Sequence, residues 1–287
     1  MIQGIPFYKV ESVGNDFVLV QEGDARQLAS GGYDAFLSRL SVQASERRFG
    51  VGSDGLLVVS HEDGGVHMRM FNPDGSEDFC GNGIRCAAVH ALDQGWVKES
   101  FTMIHKGQQI PCKVCGDGCV ETMLGAASYR PDDIPVRFQV DPSTTFDRVI
   151  WSDGETTIRG SALSTGSTHV VVPVDELPGD REFFRISPLV ENDPQFPDRT
   201  SVIWTRERAP GELDIRIWER GAGETLGCGT GASAAAVDYM RRNASAGVVA
   251  VESQGGVLQI SAPSWDAPLF VRGTAKEMFR GSFLMKD

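Results

Sequence analysis

One short pattern occurs twice in this chain, and its recurrence limits the possible folds more than any other feature. Met68-Arg69-Met70-Phe71 is followed by a polar, glycine-containing loop, then by Cys80-Gly81-Asn82-Gly83 and an alanine-rich run. Ile215-Arg216-Ile217-Trp218 is followed by the same succession, ending in Cys228-Gly229-Thr230-Gly231 and a second alanine-rich run. The two cysteines lie 148 positions apart (228 − 80). An earlier pair, Gly14-Asn15-Asp16-Phe17-Val18-Leu19-Val20 and Gly166-Ser167-Thr168-His169-Val170-Val171-Val172, lies 152 apart (166 − 14). Nearly equal offsets are what a duplication with small insertions leaves. Two such halves can pack about a pseudo-twofold axis with their equivalent loops facing one cleft.

Hydrophobic periodicity sets the class. Alternating and β-branched runs at 17–20, 55–59, 66–71, 169–172 and 214–218 read as strands. Fewer stretches read as helices: residues 33–48, and the alanine-rich 83–92 and 232–242. The chain is therefore expected to be mixed α/β with many strands. The turn-rich segment at 130–135, Arg-Pro-Asp-Asp-Ile-Pro, near the midpoint, is the candidate linker.

Composition narrows the partners. A hydrophobic fraction of 41% over 287 residues is enough for a full globular core. The net charge of −12 repels phosphate backbones and anionic lipid, so neither nucleic acid nor membrane is expected as a partner. The N-terminus lacks the basic start and apolar stretch of a signal peptide, and a cytoplasmic location is expected by default. There the six cysteines should be thiols, each either a small core residue or a chemical group.

The duplicated cysteines point to the chemical role. A cysteine followed by Gly-x-Gly and a helix sits where unpaired N–H groups and the positive end of the helix dipole favour a thiolate. The same terminus suits an anion such as an amino-acid carboxylate. A thiol that titrates near neutrality can act as base or acid. Inverting a stereocentre removes the α-proton from one face and returns a proton to the other, which calls for two such groups. One must be thiolate when the other is thiol, so they titrate as a coupled pair. Backbone amides aimed at the carboxylate would stabilise the carbanion, so no pyridoxal phosphate is required. Duplicated packing, by contrast, would not need cysteine in both copies.

The other thiols and histidines have simpler readings. Cys86 lies inside its helix and is read as core. Cys112, Cys115 and Cys119 have the spacing C-x2-C-x3-C, but their segment reads as strand–turn–strand and no fourth ligand clusters nearby, so no metal is expected. His61, His67, His90 and His105 are read as solvated or satisfied structural residues. His169 differs, because it occupies a loop of the repeat.

The quoted motifs resemble a known family. Phe71-Asn72-Pro73-Asp74-Gly75-Ser76 leading to Cys80-Gly81-Asn82-Gly83-Ile84-Arg85-Cys86 is similar to the first active-site signature of diaminopimelate epimerases. Trp218-Glu219-Arg220-Gly221-Ala222-Gly223-Glu224-Thr225 leading to Cys228-Gly229-Thr230-Gly231-Ala232 is similar to the second. Gly14-Asn15-Asp16-Phe17 and Gly50-Val51-Gly52-Ser53-Asp54-Gly55 resemble further loops of that family. The resemblance implies two pseudo-symmetric α/β halves, each a curved, mostly antiparallel sheet wrapped around a central helix. It divides the chain into residues 1–127, rejoined by 275–287, and residues 128–274. It implies Cys80 and Cys228 as the acid–base residues, assisted by His169 and Glu219. Gly81, Asn82, Gly229 and Thr230 would hold the α-carboxylate, Asn15 and Asn72 would bind polar groups, and Arg220 would pair with the distal carboxylate. It implies no cofactor and a small amino-acid substrate. A homodimer stands open beside a monomer.

Some positions depart from the family pattern. Ser167 and Thr168 stand where Gly-Asn-Pro-His is usual, and Ser201 where Arg-Thr-Asn-Val is usual. Each serine replaces an asparagine that would recognise the far end of diaminopimelate, and Gly55 stands where many members carry glutamine. Diaminopimelate remains the favoured substrate, because Asn72 and Arg220 are retained. A racemase of another amino acid and a non-catalytic amino-acid-binding protein are the alternatives.

Overall fold

A computed structural model describes residues 4–29, 31–62, 65–138 and 145–285. The chain forms two compact units, Met1–Thr122 with Arg272–Asp287, and Met123–Val271. It passes from the first to the second within a strand, not at the turn-rich stretch. Residues 130–135 instead contain a 3-10 turn, Pro131–Asp133, inside the second unit, and Ile134 is fully buried in that unit's core.

In chain order the first unit contains β1 Ile5–Ser12, β2 Asn15–Gln21, α1 Glu22–Leu28, α2 Tyr33–Ser45, β3 Leu56–Glu62, β4 Gly65–Phe71, β5 Glu77–Asp78, α3 Gly81–Asp93, β6 Ser100–His105, β7 Gln108–Val114 and the start of β8 Cys119–Ala126. The second contains β9 Arg148–Ser152, β10 Thr157–Ser164, β11 Thr168–Pro173, α4 Asp180–Glu191, β12 Ser201–Ala209, β13 Glu212–Glu219, β14 Gly223–Thr225, α5 Gly229–Arg242, β15 Gly247–Ser253, β16 Gly256–Ala262 and most of β17 Pro268–Thr274. The last strand, β18 Lys276–Phe283, pairs antiparallel with β1 and so belongs to the first unit.

The two units repeat one order of pairings. In the first, β1–β2 is antiparallel, β2–β3 parallel, β3–β4 antiparallel, β4–β5 antiparallel, β4–β6 parallel and β6–β7 antiparallel. In the second, β10–β11, β11–β12, β12–β13, β13–β14, β13–β15 and β15–β16 follow the same sequence of directions. The internal repeat of the sequence is thus a repeat of topology.

Period-two alternation explains how each sheet buries both faces. Phe17, Leu19, Leu57 and Val59 face α3, while Val18, Val20, Leu56 and Val58 face α2 with Phe36, Leu37, Leu40 and Ala44. In the second unit Val170, Val172, Val202 and Trp204 pack with Phe183, Ile186 and Val190 of α4. The alanine-rich helices are buried around nearly their whole circumference, α3 at 82–88, 90 and 91 and α5 at 229, 231–238 and 240. A helix buried on all sides must be wrapped by a curved sheet. Accordingly α3 packs against β1, β2, β3, β4, β7 and β18, and α5 against β10, β11, β12, β13, β15 and β16.

The helices differ in extent from the sequence reading. Both alanine-rich helices begin immediately after their cysteine, at Gly81 and Gly229, two and three residues before the starts read from the sequence. The reading omitted α1 and α4; α4 carries Pro188 in its last turn, which masks an apolar stripe of Phe183, Ile186 and Val190. Among the described residues no helix is long and apolar enough to cross a membrane.

Candidate active site

Each cysteine of the repeat is a helix N-cap. Cys80 caps α3 with φ −143° and ψ 108°, and its Sγ accepts the N–H of Gly83 at 3.3 Å. Cys228 caps α5 with φ −136° and ψ 116°, and its Sγ accepts the N–H of Gly231 at 3.4 Å. The sulfur does here what a serine or aspartate oxygen does at other helix starts. Each thiol is thereby held against the end of a buried helix, where the dipole favours negative charge.

The second glycine of each motif has a packing reason. A Cβ at Gly83 would lie 2.8 Å from Leu57 Cδ2, and one at Gly231 2.8 Å from Ile203 Cδ1. Leu57 and Ile203 are matching residues of β3 and β12, so the glycine lets the first helical turn close onto its strand. No such limit applies at Gly81, where a Cβ would meet nothing within 4 Å.

In the first unit, Asn15 and Asn82 gather at Cys80. A tight turn with Val13 at φ 46° and Gly14 at φ 78° starts β2 at Asn15. Asn15 Nδ2 donates to Asp54 Oδ2 at 2.7 Å, which turns its Oδ1 towards Asn82 Nδ2 at 3.2 Å and Cys80 Sγ at 4.0 Å. The Asn82 carbonyl accepts in turn from the buried Arg85 guanidinium, whose Nε donates to Ser12 Oγ at 2.9 Å. Asp54 is held by Arg47 at 2.6 Å, and the same arginine reaches Asp16 at 2.9 Å. Burial raises the Asp16 carboxyl, but hydrogen bonds from Arg47 and Lys9 outweigh it and hold the group below its ordinary range. Asn72 stands apart from this cluster, in the β4–β5 turn, where its Nδ2 donates to Ser76 Oγ at 3.1 Å.

In the second unit, Glu219 and Thr230 gather at Cys228. Cys228 Sγ lies 3.7 Å from Glu219 Oε1 and 3.3 Å from Thr230 Oγ1. Glu219 Oε2 accepts from Thr225 Oγ1 at 3.0 Å. The Glu219 carboxyl oxygen can accept from the Cys228 S–H, as the Asn15 amide oxygen can from the Cys80 S–H. The Thr230 carbonyl accepts from Thr165 Oγ1 at 2.9 Å, tying α5 to the β10–β11 turn that carries Ser167 and leads into His169 of β11. His169 is fully buried, and its Nδ1 lies 2.8 Å from the Ser167 carbonyl, which fixes that nitrogen as the N–H. Burial pushes the imidazole down to about 4, against the pull of the Ser167 carbonyl and with a smaller contribution from the Arg220 charge. His169 is therefore neutral at pH 7, with Nε2 3.5 Å from Ser167 Oγ.

His169 and Ser201 are register partners on the parallel strands β11 and β12. Ser201 Oγ accepts the backbone N–H of Arg220 at 3.0 Å, and the exposed Arg220 side chain donates from Nη1 to the Asp198 carbonyl at 3.0 Å. Glu191, at the end of α4, was not singled out from the sequence. Its buried carboxylate accepts Trp218 Nε1 at 2.6 Å, Gly221 N–H at 2.9 Å and Arg199 Nη1 at 3.2 Å. It pins the turn that carries Glu219 and Arg220, yet it lies outside every motif. Arg47 and Thr165 were missed for the same reason; Asp54 and Arg85 lie inside quoted motifs, but nothing local shows which groups they bond.

At Gly55 a Cβ would lie 2.7 Å from the Phe71 carbonyl and 2.9 Å from Met70 Cε, so this backbone excludes a larger side chain there. Cys86 and Cys112 are buried, and burial pushes their thiols up, to about 12 for Cys112. Cys115 and Cys119 flank the β7–β8 turn, with Cys115 N–H donating to the Cys119 carbonyl at 2.8 Å. Among the described residues, no group of three or more His, Cys, Asp or Glu side chains is placed to hold a metal.

Comparison with known proteins adds a consistent picture. A family model described as diaminopimelate epimerase matches residues 7–130 and 161–276. The diaminopimelate epimerase of Moorella thermoacetica is 38% identical over 287 residues, covering 96% of this chain and 98% of that protein. That of Synechococcus elongatus is 35% identical over 288 residues, covering 97% and 98%. Among solved structures, a hydroxyproline epimerase from Agrobacterium vitis matches with a TM-score of 0.68 at 12% identity, covering 99% of this chain and 94% of that one. A phenazine biosynthesis protein of the PhzF family from Bacillus anthracis matches with a TM-score of 0.65 at 17% identity, covering 99% and 100%. At these identities the structural matches speak for the fold alone.

Proposed function

The chain belongs to the diaminopimelate epimerase family, and we propose that it interconverts LL- and meso-diaminopimelate by proton transfer at the α-carbon, without a cofactor. Cys80 and Cys228 are the two acid–base residues of this reading. The thiolate of one takes the α-proton, and the thiol of the other delivers a proton to the opposite face, so each turnover exchanges their states. The observation that carries the reading is the duplicated cap: two cysteines, each bonded to the N–H three residues on, each at the start of a buried helix.

The roles of the remaining residues follow from their chemistry. Backbone N–H groups at Gly81, Asn82, Gly229 and Thr230 lie in the first turns of two helices and would receive the α-carboxylate as negative charge builds on it. Asn15 and Asn72 would take substrate polar groups. Arg220 would take the distal carboxylate, for which its planar fork is suited. Glu219, beside Cys228, would assist at the reacting end. Neutral His169, its Nδ1–H engaged by the Ser167 carbonyl, would accept a hydrogen bond through Nε2 at the reacting end without adding charge. The proposed setting is the cytoplasm, and the proposed partner is a free amino acid.

Proton NMR in deuterated water tests this reading. Each diaminopimelate stereoisomer that is a substrate should lose its α-proton signal as the epimer appears. Absence of exchange with every diaminopimelate isomer overturns the substrate assignment. A second reading, racemisation of another amino acid, draws on Ser167 and Ser201, whose hydroxyls lie against His169 and Arg220 of the protein itself. Exchange with another amino acid but not with diaminopimelate in the same assay would establish it.

A further inference from the structure

We propose that His105 is a positioning residue for the Cys80 thiol: through Nε2 it accepts the backbone N–H of Cys80 at 3.1 Å, and through Nδ1 it donates to the Met68 carbonyl at 2.9 Å. The proposal rests on the reading of Cys80 as an acid–base residue.

The two partners determine the state of the ring. A backbone N–H only donates, so Nε2 must be the bare nitrogen; a carbonyl only accepts, so Nδ1 must carry the hydrogen. The imidazole is thereby held neutral in one tautomer. It is fully buried, and the Phe79 ring stacks on it with centroids 4.9 Å apart. Burial holds it below its ordinary range; the Met68 carbonyl, Glu77 and Asp78 pull the other way, and Lys106 adds to the lowering.

This bond acts on the side of Cys80 that the helix does not reach. Gly83 N–H holds the sulfur from within α3, whereas His105 holds the main chain of Cys80 from β6. Ahead of Cys80 come the two-residue strand β5 and the Phe79 ring, itself packed on His105. Removing the acceptor would leave a half-buried N–H unpaired and release the extended conformation that aims Sγ along the helix end. Adding a proton to Nε2 would have the same effect, because N–H would then face N–H.

The counterpart of His105 in the second unit is not a histidine. In the first unit His105 lies opposite Met68 in the β4–β6 register. In the second, Asp214 lies opposite Glu252, which places Ser253 opposite Ile215, the counterpart of Met68. Ser253 Oγ instead donates to the Gly256 carbonyl at 3.2 Å. Cys228 is therefore an internal control within the same molecule.

The test is alkylation of the full chain by iodoacetamide from pH 5 to pH 8, with Cys80 and Cys228 quantified separately by mass spectrometry of their peptides, alongside epimerisation kinetics. In His105→Leu the Cys80 to Cys228 alkylation ratio should fall about fivefold at neutral pH, as the helix end loses its hold on the thiolate. Its kcat should fall about tenfold or more through misplacement of the sulfur, with KM changed less. In His105→Gln, Oε1 can replace Nε2 as an acceptor that does not titrate. That variant should recover both values. Equal impairment of the leucine and glutamine variants, or an unchanged ratio and kcat in the leucine variant, would overturn the proposal. If the leucine variant does not fold, a fivefold lower Cys80 to Cys228 ratio or a tenfold lower kcat in the glutamine variant, which keeps the acceptor, is the overturning result. Because alkylation needs no turnover, failure of the epimerase reading would show as absent exchange with the ratio effects intact.

Discussion

The hydroxyl of Ser201 accepts the backbone N–H of Arg220 at 3.0 Å. The serine that departs from the family pattern is thus engaged in holding the turn next to it, one residue beyond Glu219. Ser201→Ala removes the acceptor and leaves Arg220 less well placed. The loss of one hydrogen bond, about 1 kcal/mol, should raise KM for diaminopimelate about fivefold and leave kcat nearly unchanged. Steady-state kinetics on the purified variant check this; an unaltered KM would show that the bond does not position Arg220 for substrate.

Glu191 gives a larger effect. Its buried carboxylate receives three donors, from Trp218, Gly221 and Arg199. Glu191→Ala should destabilise the protein by about 3 kcal/mol, because the indole and amide donors lose a charged acceptor inside the protein. Urea denaturation followed by tryptophan fluorescence measures it, and a change below about 1 kcal/mol would refute the pinning role.

Serine is the informative replacement at the cysteines. Its oxygen can accept the N–H of Gly83 or Gly231 as the sulfur does, so the helix stays capped. Its hydroxyl is far less acidic than a thiol and cannot supply the base. Cys80→Ser and Cys228→Ser should each lower kcat about a thousandfold with circular dichroism and melting temperature nearly unchanged. Full turnover in either variant would remove the two-cysteine mechanism.

Two buried histidines set the acid limit of stability. Burial lowers His169 and His90 from 6.5 to about 4. Above pH 6.5 both are neutral whether the chain is folded or unfolded, and they contribute no pH dependence. As pH falls from 6.5 towards about 4 the unfolded chain takes up protons that the folded chain refuses, so stability declines. The decline reaches about 3 kcal/mol for each group at the lower limit. Guanidinium titrations at pH 7, 5.5 and 4.5 should show midpoints falling in that order; a flat series would mean that both rings are protonated in place.

The repeat and the two cysteines were legible because the signal is local: a cysteine, two glycines and an alanine run within a dozen positions. The helix starts were not, because Gly81, Asn82, Gly83 and Gly231 are poor helix formers and the caps are made by sulfur. Helix α4 was hidden by Pro188, which stands inside its last turn. The residues that hold the site together were not legible either. Glu191 meets Trp218 across 27 positions, Asn15 meets Asp54 across 39, and Cys80 meets His105 across 25. Glu191 and His105 lie outside every motif, and only the strand order brings each pair together.

Gly83 against Leu57 and Gly231 against Ile203 seat both capped helices on fully buried residues of β3 and β12. The thiols therefore sit on the slowest-opening parts of each unit, not on loops that fray. Amides of α3 and α5 should be among the last to exchange with deuterium, and heat inactivation should coincide with global unfolding, with no inactive but folded stage before it. For this protein, loss of the catalytic groups and loss of the core would be one event.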